Sequence, residues 1–199
     1  MSPTSLRPME EPAAGLARAA REVFARYGVQ RATMTDVARA AGVVRQTVYN
    51  TVSGRDHLIE LAIIQCCEEL QERLDAAARK DPDDVDEAML AFLVRAVEAT
   101  AAHAELSELM AALPPERVRE VFGHSHPMEE LIRSSLRPIL ERAERAGRLR
   151  PGATVDHTIR WLQGVLTFAL LHEASDSEAL RRQLRTFALP SVFKGAPTT

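Results

Sequence analysis

The sequence predicts an all-α protein, with a three-helix N-terminal unit built around a helix-turn-helix and a longer helical domain after it. Three observations carry that prediction. The stretch Thr33 to Leu58 reads as two short helices joined by a tight turn. Apolar residues recur at three- and four-residue spacing on either side of it, the period of a helix with one buried face. Start and stop signals bracket each periodic stretch: Thr, Asp or Ser before it, Gly or Pro after it.

Residues 1–11 have no hydrophobic signal region and are expected to form a flexible arm. Pro12 opens the first helix, which is expected to run to about Tyr27 with Leu16, Ala20, Val23, Phe24 and Tyr27 along one face and Gly28 as its stop. Thr33 and Asp36 have the spacing of a capping box, so a second helix is expected to start there and run to about Ala41. Val37, Ala38 and Ala41 turn inward and Arg39 outward. Gly42 supplies the left-handed backbone that ends the helix, and Val43 is placed to fill the space between the two helices. The third helix, Val44 to Val52, buries Val48 and Val52. Its other face carries Arg45, Gln46, Thr47 and Asn50, hydrogen-bonding side chains with no acid among them, at the end by which such a helix enters a major groove. Ser53 to Asp56 then reads as the cap of a long helix from Arg55 to about Arg79, striped by Leu58, Leu61, Ala62, Cys66, Leu70, Leu74 and Ala77.

In the second half, Asp81 and Pro82 have the cap and first-turn chemistry of a helix running to about Ala102, with Met89, Phe92, Leu93, Ala96 and Val97 inside. Short helices follow over 105–113 and 116–122, the second closed by Gly123. A helix from Met128 to Ala146 contains Pro138, which should kink it, and ends at Gly147. Val155 to Leu171 is apolar nearly all round, the mark of a helix covered on every side. Ser175 to Glu178 caps a last helix striped by Leu180, Leu184, Phe187, Ala188 and Leu189 and ended by Pro190; the tail from Lys194 is expected to be disordered. Two such helices at the end of a small chain suggest a four-helix bundle shared between two copies, a homodimer through residues 155–190.

The segment from Thr33 to Leu58 resembles the DNA-binding domain of the tetracycline repressor family of bacterial transcriptional regulators. The matching residues are Thr33, Val37, Ala38, Ala41, Gly42, Val43, Thr47, Val48, Tyr49, Gly54 and Leu58. Val44 departs from the pattern where the family commonly has a capping serine, and Val52 where an aromatic is frequent. The resemblance implies a DNA-binding domain over 1–54 and a ligand-binding and dimerisation domain over 55–199, in a cytoplasmic regulator that uses no cofactor. Its partners would be a palindromic double-stranded DNA operator, a small-molecule effector and a second copy of itself. Arg45, Gln46, Thr47 and Asn50 would face base edges, and Thr33, Thr35, Tyr49 and Arg55 would hold phosphates. Met89, Phe92, Phe122, Trp161 and Phe168 are expected inside the C-terminal helices, where the resemblance implies a cavity, with His103 and His172 as polar contacts for an apolar or amphipathic effector. Repression is the expected outcome; an activator, or a helical interaction module without DNA binding, are the alternatives.

Charge agrees with a nucleic-acid partner for one end only. Through Arg55 there are eight arginines and four acids, a net +4, so the remaining residues carry −7 of the chain's total of −3. No glycine-rich phosphate loop, nucleophile elbow or zinc-protease motif is present, which argues against an enzyme. His124 and His126, even with His103 and His172 in reach, come without a cysteine or acid at ligand spacing, so no metal site is expected. No uninterrupted apolar run reaches the roughly 18 residues that a membrane span needs. Cys66 and Cys67 are adjacent in a helix and cannot staple the fold, which fits a reducing compartment.

Overall fold

The computed structural model describes residues 11–78, 83–172 and 176–195. They are helical with no strand among them, and a single isolated bridge joins Leu149 to Phe193. The chain divides into two compact units, residues up to 68 with 104–118, and residues 69–103 with 119 onward.

The first unit holds α1 (Glu11–Tyr27), α2 (Met34–Ala40), α3 (Arg45–Thr51), the first part of α4 (Arg55–Ala78), α6 (Ala104–Ala111) and the start of α7 (Pro115–His124). Helix α1 buries Leu16, Ala17, Ala20, Val23 and Phe24 and packs on α2 and α3. Tyr27, expected on that buried face, is 39% exposed, because the helix ends there and Gly28 (φ 80°) turns the chain away. The sequence reading divides the chain at 54/55, whereas the compact units divide it inside α4 and place 104–118 with the N-terminal helices. Charge chemistry explains that second feature. The Arg21 guanidinium forks onto Glu105 at 2.7 and 2.9 Å, and Arg117 pairs with Glu60, so α6 and the start of α7 are tied to α1 and α4. Within α4, Leu58, Ile59, Leu61, Ala62, Ile63, Ile64, Cys66 and Leu70 are buried, a wider face than the expected stripe. Burial pushes the Cys67 thiol up to about 12, which keeps it protonated and unreactive.

The second unit is built around α5 (Val85–Ala101), against which α8 (His126–Arg145), α9 (Val155–Leu171) and the C-terminal helix pack. Met89, Leu90 and Leu93 of α5, Leu136 and Leu140 of α8, and Ile159, Leu162 and Leu166 of α9 form its core. The expected cap at Asp81 and Pro82 lies outside the described residues; helix α5 begins at Val85, and the Asp84 carboxylate accepts from the amides of Asp86 and Glu87 at 3.0 and 3.1 Å. Gly123 does not close α7, which runs through it to His124. Ser125 follows and leads into α8 without a side-chain cap, its hydroxyl donating instead to the Val121 carbonyl at 2.6 Å. Helix α8 is continuous through Pro138. Helix α9 has the expected bounds, with Thr154 as its cap.

The last helix differs from the sequence expectation in one turn. Ser175 is outside the described residues, and Asp176 caps α10 (Ser177–Gln183). A π-helical turn, Leu184–Ala188, then leads into α11 (Leu189–Val192), so Pro190 sits in a helical first turn and terminates nothing. The extra residue in that turn changes which side chains face inward. Leu180, Leu184, Ala188, Leu189 and Val192 are buried together, and Phe187, expected in the same stripe, is 71% exposed.

Candidate nucleic-acid interface

The α2–turn–α3 segment is locally well determined. Thr33 caps α2 through a complete capping box: the amide of Asp36 donates to the Thr33 hydroxyl at 3.2 Å and the Thr33 amide donates back to the Asp36 carboxylate at 3.1 Å. The Thr33 hydroxyl also donates to the Asp36 carboxylate at 2.5 Å, and that bond, with the one from the Thr33 amide and with Arg39 nearby, holds the Asp36 carboxyl below its ordinary range. At the other end of α2 Gly42 has φ 67°, and the Val43 amide reaches back to the Ala38 carbonyl at 3.0 Å, satisfying an orphan acceptor of the last turn. Val43 is half-buried at the turn, and Val37, Ala38 and Val48 close the contact between the two helices. Val44 stands at the N-cap of α3 with no side-chain hydrogen bond and is 70% exposed, so the first turn of α3 has amides that its own cap leaves unpaired.

Beyond that bare N-terminus Arg45, Gln46, Thr47 and Asn50 are all exposed on one short helix. They are arranged in pairs one turn apart. Arg45 donates to the Tyr49 hydroxyl at 3.2 Å and its guanidinium lies 5.3 Å from the Tyr49 ring centroid. Gln46 donates its amide to Asn50 at 3.0 Å. Val48 at 0% exposure anchors the opposite side. Thr35 is exposed at the start of α2. Arg55, expected at phosphate, has one terminal nitrogen donating to the Val29 carbonyl at 2.6 Å, which ties the α1–α2 connection to the start of α4. The Ser53–Asp56 cap also takes another form, with the Ser53 amide donating to Nδ1 of His57 at 3.2 Å.

The residues expected around an effector separate into two groups within the second unit. Met89, Phe92 and Phe122 are buried and His103 is half-buried, as expected of interior positions. Trp161 and Phe168 are not interior. They are 53% and 52% exposed, because α9 buries Ile159, Leu162, Leu166 and Ala169 on the side facing α5 and α8 and so turns its remaining apolar residues outward. His172 is exposed and stacks on Phe168 with ring centroids 4.2 Å apart. The same unit holds hydrogen-bonded polar side chains that were not among the expected site residues. Gln163, 4% exposed, donates to the Phe122 carbonyl at 3.0 Å, joined there by the Thr167 hydroxyl at 3.3 Å. Gln71 donates to Ser134 and, at 3.1 Å, to Ser135, whose own hydroxyl donates to Asp75 at 3.0 Å. A polar residue in the middle of an apolar stripe, as Gln163 is between Leu162 and Val165, was the available signal.

Comparison with known proteins agrees with the local geometry. Residues 16–62 match the family model described as bacterial regulatory proteins, tetR family. Among solved structures, the transcriptional repressor QsdR of R. erythropolis superposes with a TM-score of 0.68 at 19% identity, covering 94% of this chain and 98% of that one. The TetR family repressor AlkX of Dietzia sp. strain DQ12-45-1b, implicated in n-alkane biodegradation, gives 0.65 at 20% identity over 91% and 95%. RolR in complex with resorcinol gives 0.65 at 19% identity over 95% and 90%. No match is found among curated proteins. Residues 16–62 therefore carry the N-terminal domain of bacterial regulatory proteins of the tetR family, on a fold that repressors of that family share.

Proposed function

We propose that the chain is a ligand-responsive transcriptional repressor that binds a palindromic operator as a homodimer and leaves it when a small apolar or amphipathic molecule binds among the helices of its second unit. One observation carries the DNA half of this reading: an acid-free face of Arg45, Gln46, Thr47 and Asn50, exposed on a helix whose other side is locked by Val48. Arg45 and Gln46 read base edges, Thr47 and Asn50 complete the face, and Thr33, Thr35 and Tyr49 hold phosphates. Arg55, held to the α1–α2 connection by its bond to the Val29 carbonyl, is the fourth phosphate contact. In a two-fold dimer the two α3 helices would sit roughly 34 to 36 Å apart, one turn of DNA.

The effector half is supported by the buried set Met89, Phe92 and Phe122 together with Gln163 and Thr167, an apolar lining with a few hydrogen-bonding groups, the usual composition of a small-molecule site. Resorcinol, the ligand held by RolR, has that chemistry, an aromatic ring with two hydroxyls. The ligand releases DNA only by favouring the non-binding state, since equal affinity for both states shifts nothing.

The test is fluorescence anisotropy of the full chain on DNA from upstream of its own gene, across salt and with a panel of small aromatic and aliphatic ligands. Expected are site-specific binding, a steep loss with salt, and release by a subset of ligands that also raise the melting temperature. Binding that never exceeds that of random DNA would leave a helical interaction module. Ligands that raise the melting temperature without moving operator affinity would leave a constitutive repressor.

A further inference from the structure

Val44 is out of place by two measures. It stands at the N-cap of α3, where Ser, Thr, Asp and Asn are favoured and valine is among the poorest residues, and its side chain makes no cap hydrogen bond. It is also 70% exposed, well beyond Tyr27 and Tyr49 of the same unit. Spacing alone would hide it, since Val44, Val48 and Val52 recur every four residues and the other two are buried. Backbone geometry takes it out of that stripe. At φ −77° and ψ 151° Val44 is extended, one residue before the helix begins, so its isopropyl group leaves the phase of the buried side.

A single exposed valine is ordinary on most surfaces, but this one lies on the surface proposed to meet DNA. A recognition helix leads into the major groove with its N-terminal residues, and Val44 immediately precedes Arg45 and Gln46. Those two, with Thr47 and Asn50, present hydrogen-bonding groups. The ring of Tyr49 is taken by the Arg45 guanidinium, 5.3 Å from its centroid. Val44 therefore adds to a polar face an aliphatic group that the chain itself leaves uncovered. The major groove presents one group that matches it, the C5-methyl of thymine.

We infer that Val44 reads a thymine through its C5-methyl group, on the base pair adjoining the one that Arg45 contacts. The inference rests on the DNA-binding reading above and names one base of the operator. Consecutive Cα atoms are about 3.8 Å apart and consecutive base pairs about 3.4 Å, so neighbouring residues at the leading end of the helix meet neighbouring base pairs. The contact also rejects cytosine, which has no methyl there and presents an amino donor that valine cannot accept from and would cut off from water.

The experiment selects a preferred duplex from a random pool with the full chain, then replaces each thymine of a half-site and its symmetric mate by deoxyuridine, which lacks only the C5-methyl. Affinities are measured by fluorescence anisotropy for the wild-type chain, Val44→Ala, Val44→Ser and Arg45→Ala. With the wild type, one symmetric pair of thymines is expected to be sensitive, losing about fourfold in affinity per half-site, the fold-change for one buried methyl-sized group. That pair is expected to adjoin the position whose preference Arg45→Ala relaxes. Val44→Ala and Val44→Ser are expected to bind the thymine and deoxyuridine duplexes equally. The serine variant separates reading from structure: serine caps a helix, so its melting temperature should rise while methyl discrimination is lost, and a role confined to holding α3 would move the two together. A selected duplex with no methyl-sensitive thymine overturns the inference and leaves the DNA reading standing. Sensitivity that persists at full size in Val44→Ala also overturns it, because the methyl then meets another side chain. A pool that yields no preferred sequence overturns both.

Discussion

At the scale of single residues, the exposed face of α3 proposed to read DNA is organised within the free chain. Arg45 rests against Tyr49 and Gln46 against Asn50, pairs at i and i+4 that restrict long side chains to one side of α3. Part of the ordering cost of binding is thereby met in the free protein. Arg45→Ala should lower operator affinity by about 1 to 3 kcal/mol per half-site and relax preference at one symmetric base position. A competition assay over single-base operator variants checks this, and an unchanged base profile would remove Arg45 from the readers. Thr33→Ala removes the cap of α2 and should lower stability by about 1 kcal/mol in a denaturant titration. The same box gives a pH signature. Because the Asp36 carboxyl lies below its ordinary range in the fold, its contribution is complete above the unfolded value, near pH 4, and is lost as pH falls through the folded one. Asp36→Asn should therefore differ from wild type in melting temperature at neutral pH and converge with it in acid.

At the scale of elements, the π-turn decides more than any other feature of the C-terminal helix. It lets Leu180 above it, Leu184 at its start, and Leu189 and Val192 below it share one buried side. Deleting Thr186, within the turn, removes the extra residue and should leave a regular helix in which Leu189 and Val192 stay on the side of Leu184, so the variant should melt close to wild type, whereas Leu189→Ala should cost about 2 to 5 kcal/mol, the range for emptying a large buried aliphatic site. Denaturant titrations of the two check this, and a deletion as costly as Leu189→Ala would show that the turn does more than absorb one residue. The connection between α8 and α9 depends on a different device. Arg148, in that connection, donates to Asp86 of α5 at 2.7 Å, while the other Asp86 oxygen is buried without a hydrogen bond. Burial raises the Asp86 carboxyl above its ordinary value, against the pull of Arg148. Arg148→Met should cost about 3 kcal/mol at neutral pH, the low end for breaking a buried pair because the arginine is 37% exposed. The pH dependence of this penalty runs the same way as that of Asp36→Asn but begins at higher pH: it is present where Asp86 is ionised and shrinks as pH falls through its raised value, so melting temperatures of variant and wild type should approach each other in acid.

At the scale of the whole molecule, the charge is divided as the proposed work is. The residues through Arg55 carry +4 and the remainder −7, which suits phosphate contact by one end and repulsion of DNA by the rest. Operator affinity should fall steeply with salt, and neutralising acids outside the first 55 residues should leave the slope of log affinity against log salt unchanged, since that slope counts phosphate contacts. A salt titration of a variant with Glu141 and Glu144 replaced by glutamine measures it. Among the described residues no helix is long and apolar enough to cross a membrane.

Local chemistry made most of this protein legible before its structure. The capping box, the Gly42 turn, the bounds of α9 and the polar face of α3 depend on residues within a turn or two of one another, and such interactions are encoded at short range. The residues alone put Val44 inside the third helix, and only the family resemblance marked it as a cap position without a capping side chain. What needed the tertiary structure were matters of phase and of distant partners. A helical stripe read at constant period puts Phe187 inside; one extra residue in a turn puts it outside, and the burial of Leu189 and Val192 is what holds that turn in place. An apolar helix announces that it will be covered, but not on which side its own chain does the covering, so Trp161 and Phe168 could be assigned to the surface only once α5 and α8 were seen to occupy the opposite face. Arg55 and Arg21 carry the same charge and look alike in a sequence. Their partners, a carbonyl 26 residues back and a carboxylate 84 residues ahead, exist only in the fold.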